Sequence, residues 1–193
     1  MLLCTVLTFA MCANPGVTSA MTFGDLTVPI VWSQMRVHSC LDVGEESSGD
    51  GAGLTRLESS WSTQQSPMND APYAGRVTMR IENARIEMTA YSWDHMSAAD
   101  IAGMRRLDRD ALWHELGHVA TALKSMRDAN AHAAFTAASP SEYTATAKQI
   151  GEAEFAAFSA DQIEYDRLAA HGLHQDTLPP PLGGSNTIIN CSH

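Results

Sequence analysis

Ser97-Ala98-Ala99-Asp100-Ile101-Ala102-Gly103-Met104-Arg105-Arg106-Leu107-Asp108-Arg109-Asp110-Ala111-Leu112-Trp113-His114-Glu115-Leu116-Gly117-His118-Val119-Ala120 is the stretch around which the rest of the chain is read. Ser97 is an N-cap, with Asp100 three residues on. Ile101, Met104, Leu107, Ala111, Leu112, Leu116, Val119, Ala120, Leu123 and Met126 then recur at helical spacing. The pattern predicts one long helix that ends between Met126 and Asn130. His114 and His118 stand four apart, so both imidazoles lie on one face of that helix and aim at one point. Two such rings suit a metal ion, and Glu115 beside them is placed to accept the proton of a water on that metal. Zinc is the expected ion, because two imidazoles and a third N or O donor suit a tetrahedral site with one open position. The flanks Ala111, Leu112, Trp113, Leu116, Val119 and Ala120 are uncharged, as a helix buried against a sheet requires. Gly117 costs about 1 kcal/mol of helix propensity, and its presence predicts close approach by another backbone or by substrate.

Working outward, a second helix opens at Ser139-Pro140-Ser141-Glu142, an N-cap followed by proline at the first helical position and glutamate at the third. It is expected to run to Ala170 and stop at Gly172, with a break at Ser159. Upstream the chain reads as β-rich. Leu26 to Trp32 has strand composition, and Pro29 suggests an edge. Asp42 to Gly75 is rich in Gly, Ser, Gln and Asp and reads as a long connection with a short helix around Leu54 to Trp61. Val77, Met79 and Ile81 alternate with polar residues, as do Ile86, Met88 and Ala90. The phase changes at Glu82 to Arg85, which requires a hairpin turn or a bulge in one strand. The expected fold is α+β, a small twisted N-terminal sheet packed against the HExxH helix and the second long helix. It forms a single domain over residues 21–178, with an extended proline- and glycine-rich tail over 179–193.

Composition narrows the partners. The 193 residues carry 12 Lys+Arg against 22 Asp+Glu, a net charge of −10. That balance argues against nucleic acid, which needs clustered cations, and against an anionic membrane surface. No apolar run approaches the roughly 20 residues that span a bilayer, so no stable membrane insertion is expected. Met1 to Ala13 is almost wholly apolar, and the first charge is Asp25. With small residues at Thr18-Ser19-Ala20, residues 1–20 read as a signal peptide that lacks the usual basic flank, or else as a buried N-terminal strand. Export makes the protein secreted or periplasmic. Cys40 and Cys191 then remain, either as two separate thiols or as one disulfide closing a long loop. No Cys-x-x-Cys occurs, so a cysteine-ligated metal is not expected.

The third ligand is the open question. Gly is absent at Thr121 and His at Lys124, so the extended HExxHxxGxxH class is excluded. Glu142, Glu152, Glu154 and Glu164 are available from the second helix, though none stands in an Asn-Glu context. His171 is a further option, within Tyr165-Asp166-Arg167-Leu168-Ala169-Ala170-His171-Gly172.

The HELGH helix, followed about fifty residues later by this Tyr-Asp…His-Gly segment, resembles a bacterial family of predicted secreted zinc-dependent proteases, domain-of-unknown-function family 922. Tyr165, Asp166, His171 and Gly172 match its Tyr-Asp-x-x-Thr-x-His-Gly run, while Ala169 stands where the family usually has Thr. The resemblance covers roughly Val77 to His174. It implies a zinc peptidase in which His171 is the third ligand beside His114 and His118. Asp166 would then orient a ligand imidazole, and Tyr165 would donate to the oxyanion of the tetrahedral intermediate. His174, three residues past His171, is a candidate fourth ligand. The expected activity is hydrolysis of a peptide or protein substrate. The rivals are a non-catalytic zinc-stabilised binding module and a metal-dependent cell-wall amidase. Four protein ligands would favour the module, and three with an open position the enzyme.

Overall fold

The computed structural model describes residues 18–46, 52–65, 72–179 and 182–184. The described elements run β1 (Thr18–Phe23), β2 (Leu26–Arg36), α1 (Cys40–Glu46), β3 (Gly53–Gln65), β4 (Tyr73–Ser92), α2 (Ala98–His132), β5 (Ala134–Ala137) and α3 (Pro140–Ala169), then a 3-10 turn at Gln175–Thr177. They build the expected α+β arrangement, a sheet packed against two long helices.

The sheet hangs on β4. Its order is β1-β2-β4-β3, and β5 also pairs with β4. β2 runs parallel to β4, and the other pairs are antiparallel. The phase change seen in the sequence is a bulge and not a turn. Ile81 pairs with Ser59 and Asn83 with Glu58, so Glu82 is the extra residue. Before the bulge Val77 and Met79 are buried, and after it Ala84, Ile86 and Met88. One inserted residue thus keeps a 20-residue strand facing the core on the same side.

Several expectations from sequence are corrected. Leu54 to Trp61 is strand and not helix, within the 13-residue β3. β3 is an edge strand with no residue fully buried, so its run of Ser, Thr, Glu and Gln lacks the apolar alternation that announces a strand. Pro29 is not on an edge strand. It pairs with Ala20 of β1, one residue before β2 begins to pair with β4, so its missing N–H costs no bond on the β4 side. Thr18-Ser19-Ala20, the expected cleavage site, forms the start of β1, while Met1 to Ala13 lies outside the described residues. Ser159 makes no break: α3 continues through it, with its hydroxyl bonded back to the Phe155 carbonyl at 3.1 Å. α3 ends before Gly172, with Ala170 itself taking the left-handed cap at φ 45°. Of the tail, Gly183 folds back onto α2 and accepts a 2.8 Å hydrogen bond from the Trp113 indole, which is exposed and not buried as expected.

Both helices start as the sequence predicts. The Ser97 hydroxyl accepts from the Asp100 amide, and the Asp100 carboxylate accepts from the Ser97 amide. Ser139 caps α3 through the Glu142 amide. The main core lies between the sheet and α2, where Val28, Ile30, Ile86, Met88, Leu107 and Val119 are buried together. A second cluster of Met79, Ala122, Met126 and Phe158 closes the space under α3. Each such side chain contributes about 1.5–3 kcal/mol, so these layers carry most of the favourable term. At Gly151 an added Cβ would meet the Trp61 ring at 2.4 Å, which explains a glycine inside α3. Cys40 is buried and disulfide-bonded. The other three cysteines, Cys4, Cys12 and Cys191, lie outside the described residues.

One buried group opposes this packing. Asp108 of α2 is 7% exposed, and its Oδ1 has no hydrogen-bond partner among the described residues. Burial pushes its carboxyl from 3.8 up to about 7. A raised carboxyl pKa means the folded state binds the proton more tightly. Its favourable share is complete below the ordinary carboxylate range and is lost as pH rises towards 7. Asp108→Asn is therefore expected to stabilise the fold by a few kcal/mol at pH ~8 and by little below pH ~4. Urea midpoints of both forms across that range check it. A gain independent of pH would show that the charge is not the cause.

Candidate metal centre

α2 presents two different faces to two partners. The face carrying His114 and His118 meets α3, and Glu115 turns towards β3. On the α3 side the Nε2 atoms of His114 and His118 lie 3.2 Å and 3.0 Å from the same oxygen, Asp166 Oδ1. One ligand atom from each of these three residues falls within 4.8 Å of the others, a spacing that fits a shared cation. His114 is 6% exposed.

Tyr165 holds the helices at this separation. Its ring stacks on His114 at 5.1 Å between centroids and meets His118 edge-on at 4.8 Å. Its hydroxyl donates to the His114 carbonyl at 3.1 Å. That hydroxyl, for which the resemblance implies an oxyanion contact, is buried and bonded to the backbone of α2, where it packs the two helices together. Burial, with the charges of Glu115 and Asp166, also holds the phenol well above its ordinary range, so it stays protonated and donating. Gly117 is the socket for it. An added Cβ would stand 1.9 Å from Tyr165 Oη and 2.3 Å from Cζ. The close approach predicted at this glycine is real, but the neighbour is a side chain and neither backbone nor substrate.

Charge follows from the same geometry. Burial pushes the Asp166 carboxyl up, but hydrogen bonds from His114 and His118 outweigh it and hold the group well below the usual carboxylate range. Burial likewise disfavours the His118 cation, yet Asp166, Gln162 and Glu115 together raise its pKa above the ordinary imidazole value. Positive charge is thus favoured beside Asp166.

Glu115 is 6% exposed and is not a member of the three-residue group. The Thr55 hydroxyl lies 2.7 Å from Glu115 Oε2 and 3.0 Å from the Glu115 backbone carbonyl. Gly53 passes so close that an added Cβ would meet Glu115 Cγ at 2.7 Å. The first residues of β3 therefore clamp this carboxylate from above.

His171, the third ligand implied by the resemblance, stands at the rim. Its side chain is 84% exposed and its Nδ1 lies 3.7 Å from Asp166 Oδ1. The strained left-handed backbone at Ala170 and His171, with φ of 45° and 52°, turns the chain away just after α3. Asp166, expected to stand behind a ligand, completes the compact group in its place. Among the alternatives, Glu164 pairs with Arg167, Glu152 with Lys148, and Glu142 accepts from the Ala138 amide. Glu154 and His174 are likewise not in the group, and His174 is exposed.

Two residues of the site escaped the sequence reading. Gln162 accepts from His118 Nδ1 at 2.9 Å. Its spacing of three and four from Tyr165 and Asp166 was the available signal. Thr55 gave none, because its segment read as a loop.

Gly117→Ala is expected to destabilise the fold by about 1–3 kcal/mol through overpacking against Tyr165. In a Tyr165→Ala background the same change should cost nothing and gain up to about 1 kcal/mol of helix propensity. Denaturant titration of the four proteins checks this. Equal penalties in both backgrounds would remove Tyr165 as the reason for the glycine.

Residues 23–172 match the family described as bacterial protein of unknown function (DUF922). No curated protein and no solved structure matches the chain. The family match runs from the end of β1 through both helices to the turn after α3, and so takes in every residue of the centre. It covers most of the 193 residues, and the chain belongs to this family.

Proposed function

We propose that the protein is a zinc-dependent peptidase that works outside the cytoplasm, secreted or periplasmic. The observation that carries this reading is the convergence of His114 Nε2, His118 Nε2 and Asp166 Oδ1 on one point. Two imidazoles and a carboxylate are a donor set suited to zinc. The Asp166 carboxyl, held ionised beside the two rings, supports it. Three protein ligands leave a coordination position open, which favours a catalytic over a structural site. The disulfide at Cys40 fits an oxidising compartment. No helix among the described residues is long and apolar enough to cross a membrane.

On this reading His114, His118 and Asp166 hold the ion. Zinc, when bound, polarises the scissile carbonyl and makes water a stronger acid. Glu115 accepts the proton of the attacking water and later delivers it to the leaving amine. Thr55 holds one carboxylate oxygen of Glu115, so the base is aimed before substrate arrives. Tyr165 fixes the spacing of the helices.

Zinc at a hundredfold excess over Kd is expected to stabilise the wild type by about 2.7 kcal/mol. Glu115→Gln should retain zinc and lose at least about a hundredfold in turnover, the usual contribution of a general base. Metal content, thermal unfolding with and without chelator, and cleavage of a quenched-fluorescent peptide library check both. Full activity in Glu115→Gln would remove it as the base. Zinc uptake with no cleavage of peptides or of cell-wall peptide fragments would turn the reading into a non-catalytic zinc module.

A further inference from the structure

We infer that Gln162 is the positioning residue of the metal centre, the group that keeps the His118 proton on Nδ1 and turns the Nε2 lone pair towards Asp166 and His114. The inference rests on reading that group as a metal centre. Gln162 Oε1 lies 2.9 Å from His118 Nδ1. An amide oxygen only accepts, so this contact is a hydrogen bond only with the proton on Nδ1. A neutral imidazole then has a bare Nε2, the form a metal needs.

That bare nitrogen is 3.0 Å from a carboxylate oxygen. Two acceptors facing each other repel unless a cation lies between them, either the second proton of an imidazolium, which donates to Asp166 in the metal-free protein, or a metal ion. Gln162 therefore makes the neutral centre incomplete without an ion. An apolar residue at 162 would leave the ring free to place its proton on Nε2 and donate it to Asp166, closing the site against metal.

Two further features single out this side chain. The Nδ1 of the other imidazole, His114, is buried with no partner among the described residues, so Gln162 is the group that constrains a ring from behind. The Nε2 of Gln162 is also buried without a partner among the described residues. A stranded amide N–H2 is destabilising, and leucine would fill the same space without that cost. What the amide supplies in return is its oxygen. Position 162 sits on α3 one turn before Tyr165 and Asp166, so one helix face delivers the spacer, the carboxylate and the proton anchor together.

The test uses the full chain with zinc as the probe. In Gln162→Leu, zinc affinity measured by chelator competition is expected to fall ten- to a hundredfold, the usual effect of losing a group behind a ligand. The unfolding midpoint of the metal-free protein should hold or rise. Gln162→Glu keeps an acceptor at the same place and should restore tight binding. In the zinc-loaded protein, proton NMR should show an exchange-protected imidazole N–H in the wild type and in Gln162→Glu, and none from His118 in Gln162→Leu. Should Gln162→Leu fail to fold, Gln162→Ala carries the same expectation for zinc affinity and the N–H signal. A wild type that binds zinc, with Gln162→Leu binding equally and keeping the protected N–H, overturns this inference alone. A wild type that takes up no zinc overturns the metal reading and this inference with it.

Discussion

The seat of Tyr165 in the notch left by Gly117 is the contact on which the site depends. α2 and α3 are separated in sequence by β5, and nothing in either helix alone would bring His118 to Asp166. The notch lets the ring reach the α2 backbone, where its hydroxyl bonds the His114 carbonyl and its faces meet both imidazoles. The next residue along α3, Asp166, is then delivered to both Nε2 atoms. A residue of ordinary size at 117 would hold the helices apart, and the group would no longer share one point. Stability and site geometry are the same constraint here, and the glycine meets it at a cost to the helix.

The sheet enters from the other side of α2. β4 gives the helix its floor through Ile86 and Met88, and the bulge at Glu82 keeps the strand turned to the core along its length. β3 is marginal as packing but places Gly53 and Thr55 against Glu115. One helix therefore has its imidazoles set by α3 and its carboxylate set by an edge strand. Asp166 places negative charge between the rings, within hydrogen-bond distance of both Nε2 atoms.

What the sequence made legible follows from which forces act locally. The 3.6-residue periodicity and the capping residues Ser97 and Ser139 are local, and both helices lie within a few residues of their expected bounds. The i, i+4 spacing of His114 and His118 is also local, and the rings do converge. β3 was not legible because a half-exposed edge strand has no buried face to write into its sequence. β5 is four residues long and left no pattern of its own. The placement of Asp166 and His171 depends on how α3 rotates about its axis, which Gly117 and Tyr165 decide across 48 positions of chain. The left-handed turn at Ala170 then carries His171 to the rim. No local pattern carries that information, though the glycine gave a hint that something had to come close.

Anomalous diffraction at the zinc edge, from crystals of the full chain grown with zinc, tests the central claim most directly. The account predicts one dominant peak within about 2.0–2.2 Å of His114 Nε2, His118 Nε2 and a carboxylate oxygen of Asp166, with Glu115 outside bonding distance. Saturating zinc with no peak at these three atoms, or a peak that leaves Asp166 uncoordinated, would contradict it.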